Sequence, residues 1–243
     1  MLSTLTSMDL LEFRKRDFTR LLNERPVAHQ VTEEVVTHFL KLVNAFWRHD
    51  GNLMRSHAEL TSGRCSDGFV NVPKLLVHTP VCTLFARELV ALLGIYDSGP
   101  VDWVVGSDHA GAVIAHQVAV ELGAKFDFTV KADDGVQKRQ IWRGHVIRPD
   151  ERVLQVEELI TTTATLQAVR RGVIESMGDS VRFNPCILTI VNRSGLTSYE
   201  GRPIVALAKY SINTWLQEEC PLCEGGSPRV RPKDDWRLLN GKV

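Results

Sequence analysis

Between Val153 and Val173 the chain reads VLQVEELITTTATLQAVRRGV: an apolar strand, two adjacent glutamates, a cluster of threonines, then helical spacing. In a parallel sheet, ligands bind beyond the carboxyl ends of the strands, and Glu157 and Glu158 stand at such an end. Successive strand side chains point to opposite faces, so both carboxylates reach one ligand only if the strand ends there and the chain turns. The run TTTAT is expected to supply that turn. Thr161, Thr162, Thr163, Ala164 and Thr165 then open a helix, whose orphan N–H groups and dipole favour a phosphate. Carboxylates suit such a neighbour if they hold sugar hydroxyls or a magnesium ion, and a phosphorylated ribose has both parts. The same residues also fit an ordinary helix start, with Thr161 or Thr162 as N-cap and the glutamates favouring the dipole.

Working outward, apolar spacing predicts a helix from Thr32 to Trp47, with Pro26 dividing it from an amphipathic helix before it. A helix starting near Pro80 runs to a stop at Gly94. VDWVV (Val101 to Val105) bends at Gly106 into a turn and then a helix ending near Gly123, and FDFTV (Phe126 to Val130) is a further strand. Arg152 to Glu157 is a strand, followed by a helix from about Thr165 to Met177 and strands at Cys186 to Asn192 and Pro203 to Tyr210. Apolar strands alternating with helices imply an α/β fold with a mostly parallel central sheet flanked by helices. The polar stretch from Lys131 to His145 interrupts that rhythm and reads as a long loop or hairpin acting as a lid. The expected division is an N-terminal helical segment (1–50), a core (51–212) with a small hood near 56–75, and a C-terminal tail (213–243).

The 243 residues can bury a large core, and 44% hydrophobic with 24% charged residues is a globular composition. Twenty-nine basic residues balance twenty-nine acidic ones, which argues against nucleic acid or an anionic membrane as partner. The N-terminus has no pattern of a secretion signal, and no uninterrupted apolar run approaches the roughly 18 residues of a membrane helix. Five cysteines, only Cys220 and Cys223 close together, fit a reducing compartment, and the expected location is cytoplasmic.

The stretch VLQVEELITTTATL resembles the phosphoribosyl pyrophosphate signature of type I phosphoribosyltransferases. ELTSGRCSDGFVN (Glu59 to Asn71) is similar to a segment near the start of orotate phosphoribosyltransferases, VDWVVGSDHAGAVIA to their strand and pyrophosphate loop, and ILTIVNRSG to the strand after the signature helix. The resemblance spans roughly Ser56 to Gly195. It implies transfer of a 5-phosphoribosyl group from phosphoribosyl pyrophosphate to a base such as orotate, through an oxocarbenium-like transition state stabilised by positioning and electrostatics. It implies that Glu157 and Glu158 hold the ribose hydroxyls, directly or through Mg2+, and that Thr161 to Thr165 cradle the 5-phosphate. Ser107, Asp108 and His109 would line the pyrophosphate and its metal, and Lys131, Lys138 and Arg139 would neutralise it from the lid. Ser62, Gly63, Arg64, Ser66 and Phe69 would meet the base, with Phe69 stacking on the ring and Arg64 pairing with a carboxylate. A homodimer is implied as well.

Three departures bear on that expectation. Thr163 and Ala164 stand where the family's phosphate loop carries glycines, Thr61 where orotate enzymes commonly have a lysine, and Val130 where an arginine often precedes Lys131. A relative that binds a nucleotide or phosphoribosyl pyrophosphate without turnover is therefore the second reading. A Rossmann-type enzyme is a third, but no Gly-x-Gly-x-x-Gly follows a strand. In the tail, Cys220 and Cys223 offer two ligands where structural zinc takes four; a zinc shared at a dimer axis and redox chemistry stay open to them, but the expectation is buried inert thiols without Zn2+.

Overall fold

The computed structural model describes residues 31–96, 98–133 and 139–240. The amphipathic segment before Pro26 and Lys138 on the expected lid lie outside them. In chain order the elements begin with helix α1 (Glu33–Leu42), strands β1 (Phe46–Arg48), β2 (His57–Glu59), β3 (Cys65–Ser66) and β4 (Gly68–Val70), and helices α2 (Pro73–Leu76) and α3 (Thr79–Leu93). Next come β5 (Trp103–Gly106), α4 (Ala110–Leu122), β6 (Lys125–Lys131), β7 (Gln140–Trp142), β8 (Arg152–Ile160), α5 (Ala164–Met177), β9 (Arg182–Asn192), β10 (Ser198–Tyr199) and β11 (Arg202–Lys209). The chain closes with β12 (Thr214–Trp215), α6 (Pro221–Glu224), β13 (Arg229–Val230) and α7 (Trp236–Leu239).

The described residues group into two compact units: 31–39 with 72–210, and 40–71 with 211–240. Order along the chain and grouping in space therefore differ, because hood segment and tail are strands of one sheet.

The larger unit carries a seven-stranded sheet in the order β10-β11-β9-β8-β5-β6-β7. Its inner pairs, β11 with β9, β9 with β8, β8 with β5 and β5 with β6, are parallel, and the edge strands β10 and β7 are antiparallel. Parallel neighbours need crossover helices, which bury both sheet faces and account for the apolar runs of β8 and β9. After β5 the chain moves to β6 on one side and then crosses to β8 on the other, so the switch point lies between β5 and β8. Helix α3 is apolar enough, together with the short turn to Tyr96, to pass for a membrane span; Val81, Leu84, Phe85, Leu89 and Leu93 are buried core instead.

The smaller unit contains the sheet β12-β3-β2-β13 and the two-stranded pair β1-β4. Trp47, Ala58 and Leu239 form its apolar centre, with Phe69, Val230 and Trp236 packed against them.

Two expectations are corrected. Phe46 and Trp47, assigned to a helix by their spacing, belong to strand β1: α1 stops at Leu42, and Asn44 takes a left-handed backbone (φ 53°) that no helix continues. Strand β8 does not end at Glu157 but runs to Ile160, held by pairing of Leu159 with Val191 and Ile160 with Asn192 on β9. On either side of the polar stretch after Lys131, β6 and β7 pair antiparallel, with Lys131 opposite Gln140.

Candidate active site

Strand β5 pairs with β8 only as far as Val105 opposite Gln155, so Glu157 and Glu158 overhang the end of β5. Into that space turns the segment from Ser107 to the start of α4. It can lie close because of two glycines: a Cβ on Gly106 would stand 2.5 Å from the Gly111 carbonyl oxygen, and one on Gly111 would stand 2.4 Å from Ser107 Oγ. The Gly111 Cβ position is also 3.0 Å from Glu157 Oε2 and 3.4 Å from Glu158 Oε2. Both carboxylates thus converge on one turn although the strand continues, because their side chains are long and β5 is no longer beside them.

Glu157 is buried at 1% exposure and accepts a hydrogen bond from Ser107 Oγ at 2.6 Å. Burial, and then repulsion from Glu158, push its pKa up to about 8, against the bonds from Ser107 and Gln155. Burial also raises Glu158; Asp108 adds to the rise and Lys131 opposes it. Asp108 is where the turn meets the hairpin: Lys131 Nζ is 3.5 Å from its Oδ2, and Gln140 Nε2 donates to its Oδ1 at 3.4 Å. Asp108, Glu157 and Glu158 therefore crowd three acidic groups together beside Lys131, and burial with the crowding keeps a proton on Glu157 up to about pH 8.

His109 is almost fully exposed, 3.8 Å from Asp108 Oδ2, and precedes α4 with φ 58° and ψ −112°, a strained backbone for a residue with a Cβ. Thr161 and Thr162 are exposed, and Thr163 stands at the N-cap of α5 without a side-chain cap hydrogen bond. Thr162 Oγ1 accepts from the Ala164 N–H at 3.4 Å. The helix opening at Ala164 and Thr165 presents its amino end six residues beyond Glu158. Arg139 lies across the hairpin, 3.8 Å from Glu175 Oε2 on α5.

Ser62, Gly63, Arg64, Ser66 and Phe69 belong to the smaller unit. Ser62 and Gly63 are exposed, and Gly63 has φ 77° in a turn between β2 and β3. Arg64 reaches the Thr214 carbonyl at 3.5 Å. Ser66 is fully buried, its hydroxyl 2.8 Å from the carbonyls of Gly68 and Asn213. Phe69 packs on Trp236, ring centres 6.1 Å apart, and edges a cleft with Thr61, Arg231 and Lys233.

Two residues escaped the sequence reading. Gln155, buried on β8, donates to Glu157 Oε1 at 3.5 Å and to the Leu166 carbonyl at 3.3 Å, and accepts from Arg170 Nε at 3.0 Å. Arg170 is itself buried on α5 and also reaches Glu200. Together they tie the carboxylate strand to the helix that follows it. The signal was available: Gln155 is the polar residue interrupting an otherwise apolar strand core.

No family model matches the chain. In fold it is similar to the orotate phosphoribosyltransferase from Aeropyrum pernix, with a TM-score of 0.50 at 18% identity over 72% of this chain and 93% of that one. The sheet, with a carboxylate pair overhanging one strand ahead of the next helix, defines the class of type I phosphoribosyltransferases. The chain is 32% identical over 188 residues to the orotate phosphoribosyltransferase of Heliobacterium modesticaldum, covering 76% of this chain and 93% of that protein. It is 33% identical over 178 residues to that of Caldanaerobacter subterraneus, covering 73% and 88%. The chain belongs to the orotate phosphoribosyltransferase family and is a phosphoribosyltransferase that uses phosphoribosyl pyrophosphate.

Proposed function

We propose that the acceptor is orotate, so that the chain makes the nucleotide orotidine 5′-phosphate and releases pyrophosphate. The observation that carries the assignment of the donor site is the convergence of Glu157 and Glu158 on Gly111, just ahead of the amino end of α5. Relatives named for orotate support the choice of base.

On this reading Glu158 and Glu157 hold the ribose hydroxyls, and Thr161 to Thr165 bind the 5-phosphate through hydroxyls and the N–H groups opening α5. Ser107, Asp108 and His109 receive the pyrophosphate, while Lys131, Lys138 and Arg139 neutralise it from the hairpin. Glycine is absent from the threonine loop, but Thr163 has φ −76° and ψ −3°, ordinary right-handed values, so a Cβ brings no backbone strain there. That supports an active enzyme over a binding-only relative. Magnesium fits this site, because Asp108, Glu157 and Glu158 offer hard oxygen ligands whose mutual repulsion a divalent cation relieves. Bound there, it would supply charge neutralisation to the leaving pyrophosphate. In the smaller unit, Ser62, Gly63, Arg64, Ser66 and Phe69 meet the base; Ser66 acts there by shaping β3, since its hydroxyl is bonded to backbone. The working form is a cytoplasmic homodimer.

The test is to supply phosphoribosyl pyrophosphate and magnesium with orotate, uracil, adenine and hypoxanthine, and to measure pyrophosphate release. Orotate should be the base turned over. Release with another base instead would overturn the choice of acceptor, and tight donor binding without release would establish the binding-only relative.

A further inference from the structure

The smaller unit is built from two short stretches, 40–71 and 211–240, and units this small are commonly stabilised by a disulfide or a metal. At its centre four soft side chains meet. His57 opens β2 and Cys65 lies on β3, which pair antiparallel in the middle of the sheet. Cys220 and Cys223 come from the link that leaves β12 at one edge and enters β13 at the other. The two ligands expected from Cys-x-x-Cys are thus joined by two that are more than 150 residues away in sequence, as the separations in the hydrogen-bonded pairs show. The ligand atoms of all four lie within 4.8 Å of one another.

The separations suit one metal. Zinc bonded to sulfur at about 2.3 Å and to nitrogen at about 2.0–2.1 Å makes a tetrahedron with edges of about 3.8 Å between sulfurs and about 3.6 Å between sulfur and nitrogen. Cys65 Sγ is 3.6 Å from Cys223 Sγ, and His57 Nε2 is 3.4 Å from Cys223 Sγ and 3.8 Å from Cys220 Sγ. His57, Cys65 and Cys220 are buried and Cys223 is partly so, as in a closed structural site without an open coordination position.

The histidine is also held in the required tautomer. Ser227 Oγ donates its proton to the Arg55 carbonyl at 2.6 Å, so at 2.9 Å from His57 Nδ1 it acts as the acceptor. The ring proton then sits on Nδ1, and the Nε2 lone pair faces the sulfurs. Fixing a ligating imidazole through its other nitrogen is how metal sites are oriented. The local chain agrees, since Cys220 leads the short helix α6 and Gly226, at φ 81°, turns the chain back to Ser227 and β13.

We propose that His57, Cys65, Cys220 and Cys223 bind one structural zinc ion, which joins the tail to the hood strands within the smaller unit. Binding deprotonates three thiols, with His57 neutral, and releases three protons per zinc. The site is independent of the carboxylate cleft and of the identity of the base.

The experiment uses the full chain, purified under reducing conditions with zinc in the growth medium. Metal analysis should give one zinc per chain, and exchange for Co2+ should give the thiolate charge-transfer absorption and the intense d–d bands of a tetrahedral site. Cys223→Ser should abolish the stoichiometric metal. Ser227→Ala, which leaves every ligand in place, should weaken zinc binding by about 10-fold or more. Because a cysteine variant can fail to fold, the cobalt spectrum of the unmodified chain is the deciding measurement. Folded, reduced protein that carries no zinc and gives no thiolate band with Co2+ overturns the proposal, as does a native Cys65–Cys223 disulfide detected by mass.

Discussion

Glu157→Gln should change how stability depends on pH in a direction that can be worked out beforehand. The carboxyl is buried and its pKa stands at about 8, against an ordinary 4.5. Below pH 4.5 it is protonated both folded and unfolded, and it contributes no pH dependence. As pH rises from 4.5 towards 8, the unfolded chain gives up the proton while the folded chain keeps it, and stability falls; above 8 the loss is complete. At about 1.36 kcal/mol for each pH unit, the upper bound is about 5 kcal/mol. Relaxation and water entry around the cleft reduce what is observed to about 2–3 kcal/mol. Glutamine keeps the size and can still accept from Ser107, but sets an amide near Gln155 Nε2; that constant cost cancels when two pH values are compared. Urea unfolding of both proteins at pH 5 and pH 8.5 measures the double difference, with Glu158, Asp108 and Lys131 present in each. The wild type should lose stability relative to the variant at the higher pH. A gap of equal size at both pH values would refute the buried, proton-holding carboxyl and with it the electrostatic picture of the cleft.

Three further outcomes are expected. Glu158→Gln should lower pyrophosphate release by about two orders of magnitude or more with an unchanged circular dichroism spectrum, and near-normal turnover would remove Glu158 from the sugar site. Gly111→Ala brings a Cβ to 2.4 Å from Ser107 Oγ and 3.0 Å from Glu157 Oε2, and should cost about 1–3 kcal/mol in urea unfolding as well as most of the activity; full stability would show that the turn yields easily. Glu151 accepts from Trp103 Nε1 at 2.8 Å and from the Arg148 N–H at 2.9 Å and pairs with Lys125, which hold its carboxyl down at about 2, the Lys125 contact acting most strongly. Its contribution is present above pH 4.5 and lost as pH falls towards 2, so Glu151→Gln should flatten the acid limb of the stability curve.

Much of the larger unit was legible because apolar runs and helical periods are local signals. Pro80, Gly94, Gly106 and Gly123 mark boundaries that β5, α3 and α4 respect within a few residues. The strand end was not legible: the extension of β8 to Ile160 depends on its partner β9, and nothing in the run EELI discloses a neighbour. Phe46 and Trp47 kept helical spacing while Asn44 broke the helix, a case of backbone geometry overriding an apolar period. The tail was the least readable part, because its strands are two residues long and its partners, β2 and β3, lie far back in the sequence. Cys-x-x-Cys therefore looked like half a site until strand pairing supplied His57 and Cys65.

Around the two carboxylates, backbone strain lies in the turn before α4 and not in the threonine loop. Glycine is useful near phosphate for positive φ and close approach, yet at the threonine loop Thr163 is already in a right-handed conformation and leads directly into α5. Positive φ occurs instead at His109, ahead of α4, in the turn that Gly106 and Gly111 allow to pack against the carboxylates. A strained residue persists only where its surroundings hold it, and here Ser107 is bonded to Glu157 while Asp108 is held by Lys131 and Gln140. The turn from Ser107 to Gly111 is thus set by tertiary contacts to β8, β6 and β7, whereas the threonine run is set by a local helix start. That difference explains why the helix start could be read from five consecutive residues, whereas the packing of the Ser107 turn against the carboxylates could not.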